Sequence, residues 1–154
     1  MNRINRLLLA ALLLLGLLIW WLQPTPLPPL TPLQAGQIER IRLLGKGREI
    51  DLRRHDGHWW LGDRPANEGR IQQLLGIART PSLRRIPVAQ GRLAEFGLAS
   101  PSIRLWLDGL ELQFGDSDPI NGWRYVRIGD QIHLIGDGFR HHLLAPPTAY
   151  LQAP

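Results

Sequence analysis

An α+β domain of antiparallel β-hairpins with two or three short helices, preceded by a single transmembrane helix, is the architecture this sequence predicts. Three observations predict it. The apolar residues concentrate in one uncharged N-terminal run from Leu7 to Leu22. Asp56-Gly57 and Asp108-Gly109, strong hairpin-turn dipeptides, separate short segments whose hydrophobicity alternates with a period of two. Helical spacing is confined to a few short stretches, and the strand connections are too short for parallel crossovers.

The N-terminal run, LLLAALLLLGLLIWWL, makes a helix of about 24 Å, close to the ~30 Å hydrocarbon core once Ile4 is counted and Arg6 snorkels. A cleaved signal peptide also begins with basic residues and a leucine-rich core. Here the run ends in Trp20, Trp21, Leu22, Gln23 and Pro24, bulky residues where cleavage needs small ones. An uncleaved signal anchor is therefore expected, with residues 1–6 as a cytoplasmic n-region and residues 7–22 crossing the inner-membrane lipid bilayer. Arg3 and Arg6 would hold one interface and Trp20 and Trp21 the other. No basic residue follows until Arg40, so the positive-inside rule places the N-terminus in the cytoplasm and the remainder in the periplasm. Cysteine is absent, which excludes a disulfide framework, a zinc ribbon, a thiol nucleophile and a lipoprotein anchor.

Residues 23–36 read as a Pro-rich linker, because Pro24 to Pro32 holds five of the chain's 13 prolines. Each proline removes an amide donor and fixes φ, so the stretch is either a polyproline stalk of about 28 Å or a simple helix-stopping linker. The globular part, residues 37–154, is then one domain. Ile38 to Leu44 and Glu49 to Arg54 form a hairpin around Gly45-Lys46-Gly47, and His58 to Leu61 adds a third strand after Asp56-Gly57. Asn67 caps a helix whose Ile71, Leu74, Leu75 and Ala78 make one apolar stripe, stopped by Pro81. A short strand at Leu83 to Ile86 and a short helix near Arg92 to Phe96, with Gly97 at its C′ position, follow. Ile103 to Leu107 and Leu110 to Phe114 pair around Asp108-Gly109, and Trp123 to Ile128 pairs with Gln131 to Ile135. A helical stretch from Phe139 to Leu144 and a tail after Pro146-Pro147 close the chain. Both halves run hairpin, strand with aromatics, helix, an order an old duplication would leave, but residue identity between the halves is too thin to claim one.

The succession Trp60-Leu61, Pro65, Leu74-Leu75, Phe96-Gly97-Leu98, Pro101, Leu112, Phe114-Gly115, Gly122 and Arg124-Tyr125-Val126 resembles the family catalogued as domain of unknown function 4340, over most of residues 37–145. The resemblance implies a single-pass or membrane-linked envelope protein, in some members associated with transporter systems of the gliding-motility type. It implies no activity, cofactor or catalytic residue.

The residues themselves offer little chemistry, and no catalytic, cofactor or metal residues are expected. His55 and His58 straddle a turn, His133 lies apart, and adjacent His141 and His142 are expected to point different ways. Asp116-Ser117-Asp118 misses the calcium-loop spacing and reads as a capped turn. Lys46 lacks a phosphate-binding loop, and no Gly-x-Ser-x-Gly elbow occurs. Arg3 and Arg6 are two of the 18 basic residues, so the remainder exceeds its 13 acidic residues by only three charges. Those alternate in sign along the strands, and nucleic-acid binding is not expected.

Trp106 is the exception. With Ile103, Leu105 and Leu107 facing the core, Trp106 falls on the opposite face beside Arg104, where it is either covered by another element or part of a partner surface. The expected function is a non-enzymatic accessory domain binding an unknown envelope protein. The alternatives are a small-ligand or glycan-binding module using Trp59, Trp106 or Trp123, and a hydrolase using His or carboxylates.

Overall fold

The computed structural model describes residues 2–90 and 93–153. Helix α1 (Arg3–Trp21) precedes strands β1 (Arg40–Gly45), β2 (Arg48–His55), β3 (His58–Leu61) and β4 (Arg64–Pro65), then helix α2 (Glu68–Ile77) and strand β5 (Arg84–Pro87). Strands β6 (Ile103–Leu107), β7 (Leu110–Ser117), β8 (Arg124–Ile128) and β9 (Gln131–Ile135) lead to helix α3 (Arg140–Leu143). The strands form one sheet in the order β4-β3-β2-β1-β6-β7-β8-β9-β5, antiparallel throughout. The fold is α+β, with little helix outside α1.

Strand alternation sends Ile41, Leu43, Ile50, Leu52, Trp59, Leu105, Leu107, Leu112, Phe114 and Val126 to one face, where they are buried. Ile71, Leu74, Leu75 and Ala78 of the α2 stripe close over them. Asn67 caps α2 by accepting a hydrogen bond from Arg70 N at 3.0 Å. The tail after Pro146 is not loose: Tyr150 is fully buried and its hydroxyl donates to His142 O. Asn67 N donates to Tyr150 O at 2.8 Å, and Leu151 bridges Ala66.

The two halves meet at the β1–β6 pair and repeat with an offset of 62 residues. Ile41, Leu43, Ile50 and Leu52 correspond to Ile103, Leu105, Leu112 and Phe114, all buried. Residues 40–52 and 102–114 are identical at five of 13 positions. A cross-strand ion pair is repeated with them: Arg42 to Glu49 at 3.8 Å and Arg104 to Glu111 at 3.9 Å. This is an internal repeat in sequence, topology and side-chain contact.

The expected helix near Arg92 to Phe96 does not form among the described residues, where residues 93–97 make turns; Arg92 lies outside them. Gly97 nonetheless has φ of 67°, its N–H donates to Ala94 O and Leu98 N donates to Leu93 O, the bonding of a helix C-terminus without the helix. This segment crosses the sheet face opposite α2. Phe96 stacks on Tyr125 at 4.3 Å, Asp116 N donates to Phe96 O at 2.8 Å, and Leu98 is buried. Ile132 and Leu134, which share that face with Tyr125 and Arg127 by register, are buried too, apart from the main core.

Gly115 makes this crossing feasible, since a Cβ there would stand 2.1 Å from Phe96 O and 2.9 Å from the Leu98 side chain. Gly115→Ala is expected to lower stability by about 1–3 kcal/mol, because backbone must move. Gly109→Ala, with nothing within 4 Å of its Cβ, is the control. Thermal melts of the two variants check this; equal melts would show that the crossing segment gives way freely.

Candidate functional site

Between β3 and β8, the face away from α2 is left open by the crossing segment. The alternation that buries Ile41 and Leu43 turns Arg40 and Arg42 outward, and the register sets Arg42 between Asp51 and Trp106 and places Glu111 beyond Trp106. Among the described residues no secondary-structure element covers Trp106. The Arg42 guanidinium does so instead, 4.6 Å from the ring centroid, leaving the indole half-buried with Arg104 beside it on the same strand.

The charges of this face are organised by pairing. Arg40 grips Asp51 through two bonds, Nε to Oδ1 at 2.9 Å and Nη2 to Oδ2 at 2.8 Å, and Arg53 donates to the same Oδ2 at 3.1 Å. The hydrogen bond from Arg40 holds the Asp51 carboxyl below its ordinary range against an opposing effect of burial, with Arg53 adding to it. Arg127, on the same face beside Gln113, donates to Gly129 O at 3.0 Å and finds no carboxylate among the described residues. Five arginines (Arg40, Arg42, Arg53, Arg104, Arg127) thus share the face with Glu49, Asp51 and Glu111. Two polar atoms at this face, Trp60 Nε1 and Glu111 Oε1, are buried without a hydrogen-bond partner.

The three tryptophans considered for ligand stacking are not brought together. Trp59 is buried on the α2 face, Trp106 lies on the open face and Trp123 sits in the β7–β8 connection. A groove of about 790 Å³ runs along the β3–β4 edge, lined by Trp59, Trp60, Asn67, Glu68 and Gln152. Its polar groups already serve the fold, since Asn67 caps α2 and Glu68 Oε1 accepts from Trp59 N at 2.9 Å.

Among the described residues no group of three or more His, Asp or Glu side chains could hold a metal ion. His55 and His58 sit beside Asp56 and Glu68, at 3.2 and 3.8 Å. His141 and His142 do not point apart as the sequence suggested: their rings lie 3.8 Å apart, with Arg70 Nη1 at 3.4 Å from His142 Nδ1. The carboxylate of Asp118 accepts from Asn121 N at 3.0 Å and Asn121 Nδ2 at 2.9 Å, a capped turn, which holds its pKa low.

One Ser–His pair escaped the sequence reading. Ser82 Oγ lies 2.9 Å from His133 Nδ1, both side chains buried, with no carboxylate bonded to His133 among the described residues. Such a pair locks β5 to β9; it does not offer the hydroxyl to a substrate. Only the alternation of β9 could have signalled it, through a histidine placed on the apolar parity. The crossing segment's cover and the Arg42–Trp106 stack depend on cross-strand register, which no local pattern carries. No family model, curated protein or solved structure matches this chain.

Burial, and then the charge of Arg85, push the His133 pKa below its ordinary value of 6.5. Both states are neutral well above that pH. As pH falls through about 6.5 the unfolded chain takes up a proton that the folded chain resists, so stability is lost on acidification. His142, depressed by burial, then by His141 and Arg70, acts in the same direction. Melts from pH 8 to pH 5 should fall, and His133→Asn should remove part of the fall; an unchanged slope would place the titration elsewhere.

Proposed function

We propose that this chain is a non-enzymatic, membrane-anchored accessory domain of an envelope assembly, and that the open face around Arg42, Arg104 and Trp106 docks a protein partner. The observation that carries the anchoring is α1. Ile4–Trp21 has a mean hydropathy of 2.0 and none of it is buried, which is long and apolar enough to cross a membrane, as anchors and signal sequences both are. Its bare apolar surface needs cover that the domain does not give. Bulky residues after the helix support retention, and Arg3 and Arg6 before it support a cytoplasmic N-terminus with the domain in the periplasm. The resemblance to domain of unknown function 4340 points the same way.

The docking part rests on a half-buried tryptophan with the Arg42 guanidinium over its ring at the sheet's centre, since Trp and Arg are the usual anchors of interface hot spots. In-cell crosslinking of the full-length protein, followed by mild-detergent purification, should recover a defined envelope partner. Arg104→Ala with Trp106→Ala should lose it at a stability cost of about 1 kcal/mol. Recovery of the protein alone, or a double variant that still captures the partner, would remove the reading.

A further inference from the structure

The geometry points to a second contact with the bilayer: an arginine edge of the sheet, Arg79, Arg84 and Arg85, seated on anionic phospholipid headgroups. This rests on the reading of α1 as a membrane anchor. Part of the Pro-rich segment is docked on the domain. Leu30 N donates to Thr80 O at 2.8 Å, Thr31 N to Ala78 O at 3.0 Å and Ser82 N to Pro28 O at 2.9 Å, and Leu30 and Thr31 are buried. Only residues 22–27 therefore separate the end of α1 from the point of attachment, a span of at most about 25 Å.

Attachment is at one edge of the sheet, not at its middle. Pro29 bridges Pro81, three residues before β5 begins, and β5 is an edge strand. Eight inter-strand spacings, about 38 Å, separate it from β4 at the opposite edge. The short link thus sets the β5 edge against the bilayer and β4 away from it.

The chemistry of that edge suits the headgroups. Residues 69–94 contain five arginines and no acidic residue. Arg79, Arg84 and Arg85 are exposed and pair with no carboxylate among the described residues; Arg85 Nη2 donates only to Pro29 O, at 3.3 Å. Exposed Leu83 stands between Arg79 and Arg84 in the chain and exposed Leu27 directly precedes the docked prolines, the mixture of apolar and basic groups found on surfaces that rest in a bilayer interface. Near an anionic surface each arginine favours the seated state by about fivefold.

The test uses the full-length chain, whose lack of cysteine makes an introduced one a unique label site. Leu83→Cys and, at the opposite edge, Asp63→Cys each carry a fluorophore, and the protein is reconstituted into vesicles containing a headgroup nitroxide. One set is phosphatidylcholine alone and the other contains about 30% phosphatidylglycerol. The Leu83 probe should be quenched severalfold more in the anionic vesicles, and the Asp63 probe should not. High salt, and Arg79→Gln, Arg84→Gln and Arg85→Gln together, should each abolish the difference; the salt titration stands by itself if the triple variant fails to fold. A chain that stays with the vesicles through carbonate and flotation, yet shows no lipid-charge dependence at Leu83, overturns the arginine edge and leaves the anchor. A chain that does not float overturns both.

Discussion

The antiparallel pairing of β1 with β6 is the contact on which the rest of this structure depends. Each half of the chain is a four-stranded meander followed by a helix, and the second helix, Arg140–Leu143, is a single turn. Neither half has enough apolar cover to bury its own sheet. Joined through Ile41↔Leu107 and Leu43↔Leu105, the two apolar faces become one surface that α2, Leu143 and Tyr150 cover together. The internal repeat explains why the register closes so well: β1 and β6 carry the same apolar parity, so pairing them matches buried residue to buried residue along the strand.

That parity also dictates the outer face. Once Ile41, Leu43, Leu105 and Leu107 point inward, Arg42, Arg104 and Trp106 must point outward, and the neighbouring strands bring Glu49, Asp51 and Glu111 to meet them. The repeated Arg–Glu pairs at 3.8 and 3.9 Å are long and join partly exposed side chains, so they contribute little each. Their arrangement matters more than their energy, because a ladder of paired charges keeps a broad sheet face soluble while leaving one aromatic ring presented in it. Where the repeat departs from symmetry, Leu44 in one half stands where Trp106 stands in the other. The aromatic is therefore an asymmetric addition to a symmetric frame.

Most of the sheet was legible in sequence because its hairpins are local. Asp108-Gly109 and Gly129-Asp130 sit between alternating arms, and the α2 stripe carries its own cap in Asn67. What was not legible was non-local. Nothing in residues 93–101 announces that they cross the outer face, since Phe96 and Leu98 acquire their partners from Tyr125 and Gly115 on other strands. The proline-rich tail hid the buried Tyr150 for the same reason: its stabilising contacts, to His142 and Asn67, lie on other elements. At the candidate site, the outward placement of Arg104 and Trp106 followed from alternation alone, but the guanidinium stacked on the ring required knowing that β1 lies beside β6.

The proline segment shows how one composition serves two purposes. Its prolines cannot donate, and a run of them resists helix and central strand alike. Their carbonyls still accept, and Pro28 O and Pro29 O take hydrogen bonds from Ser82 N and Arg85 Nη2. Within the docked residues 28–32 the donors come from the two that are not proline, Leu30 and Thr31, which bond to Thr80 O and Ala78 O and are buried with their side chains. Prolines without donors, with N–H groups in residues 28–32 only at Leu30 and Thr31, make a strap held along one edge of the domain. The chain between helix and domain is consequently a short link that joins the domain beside its β5 edge.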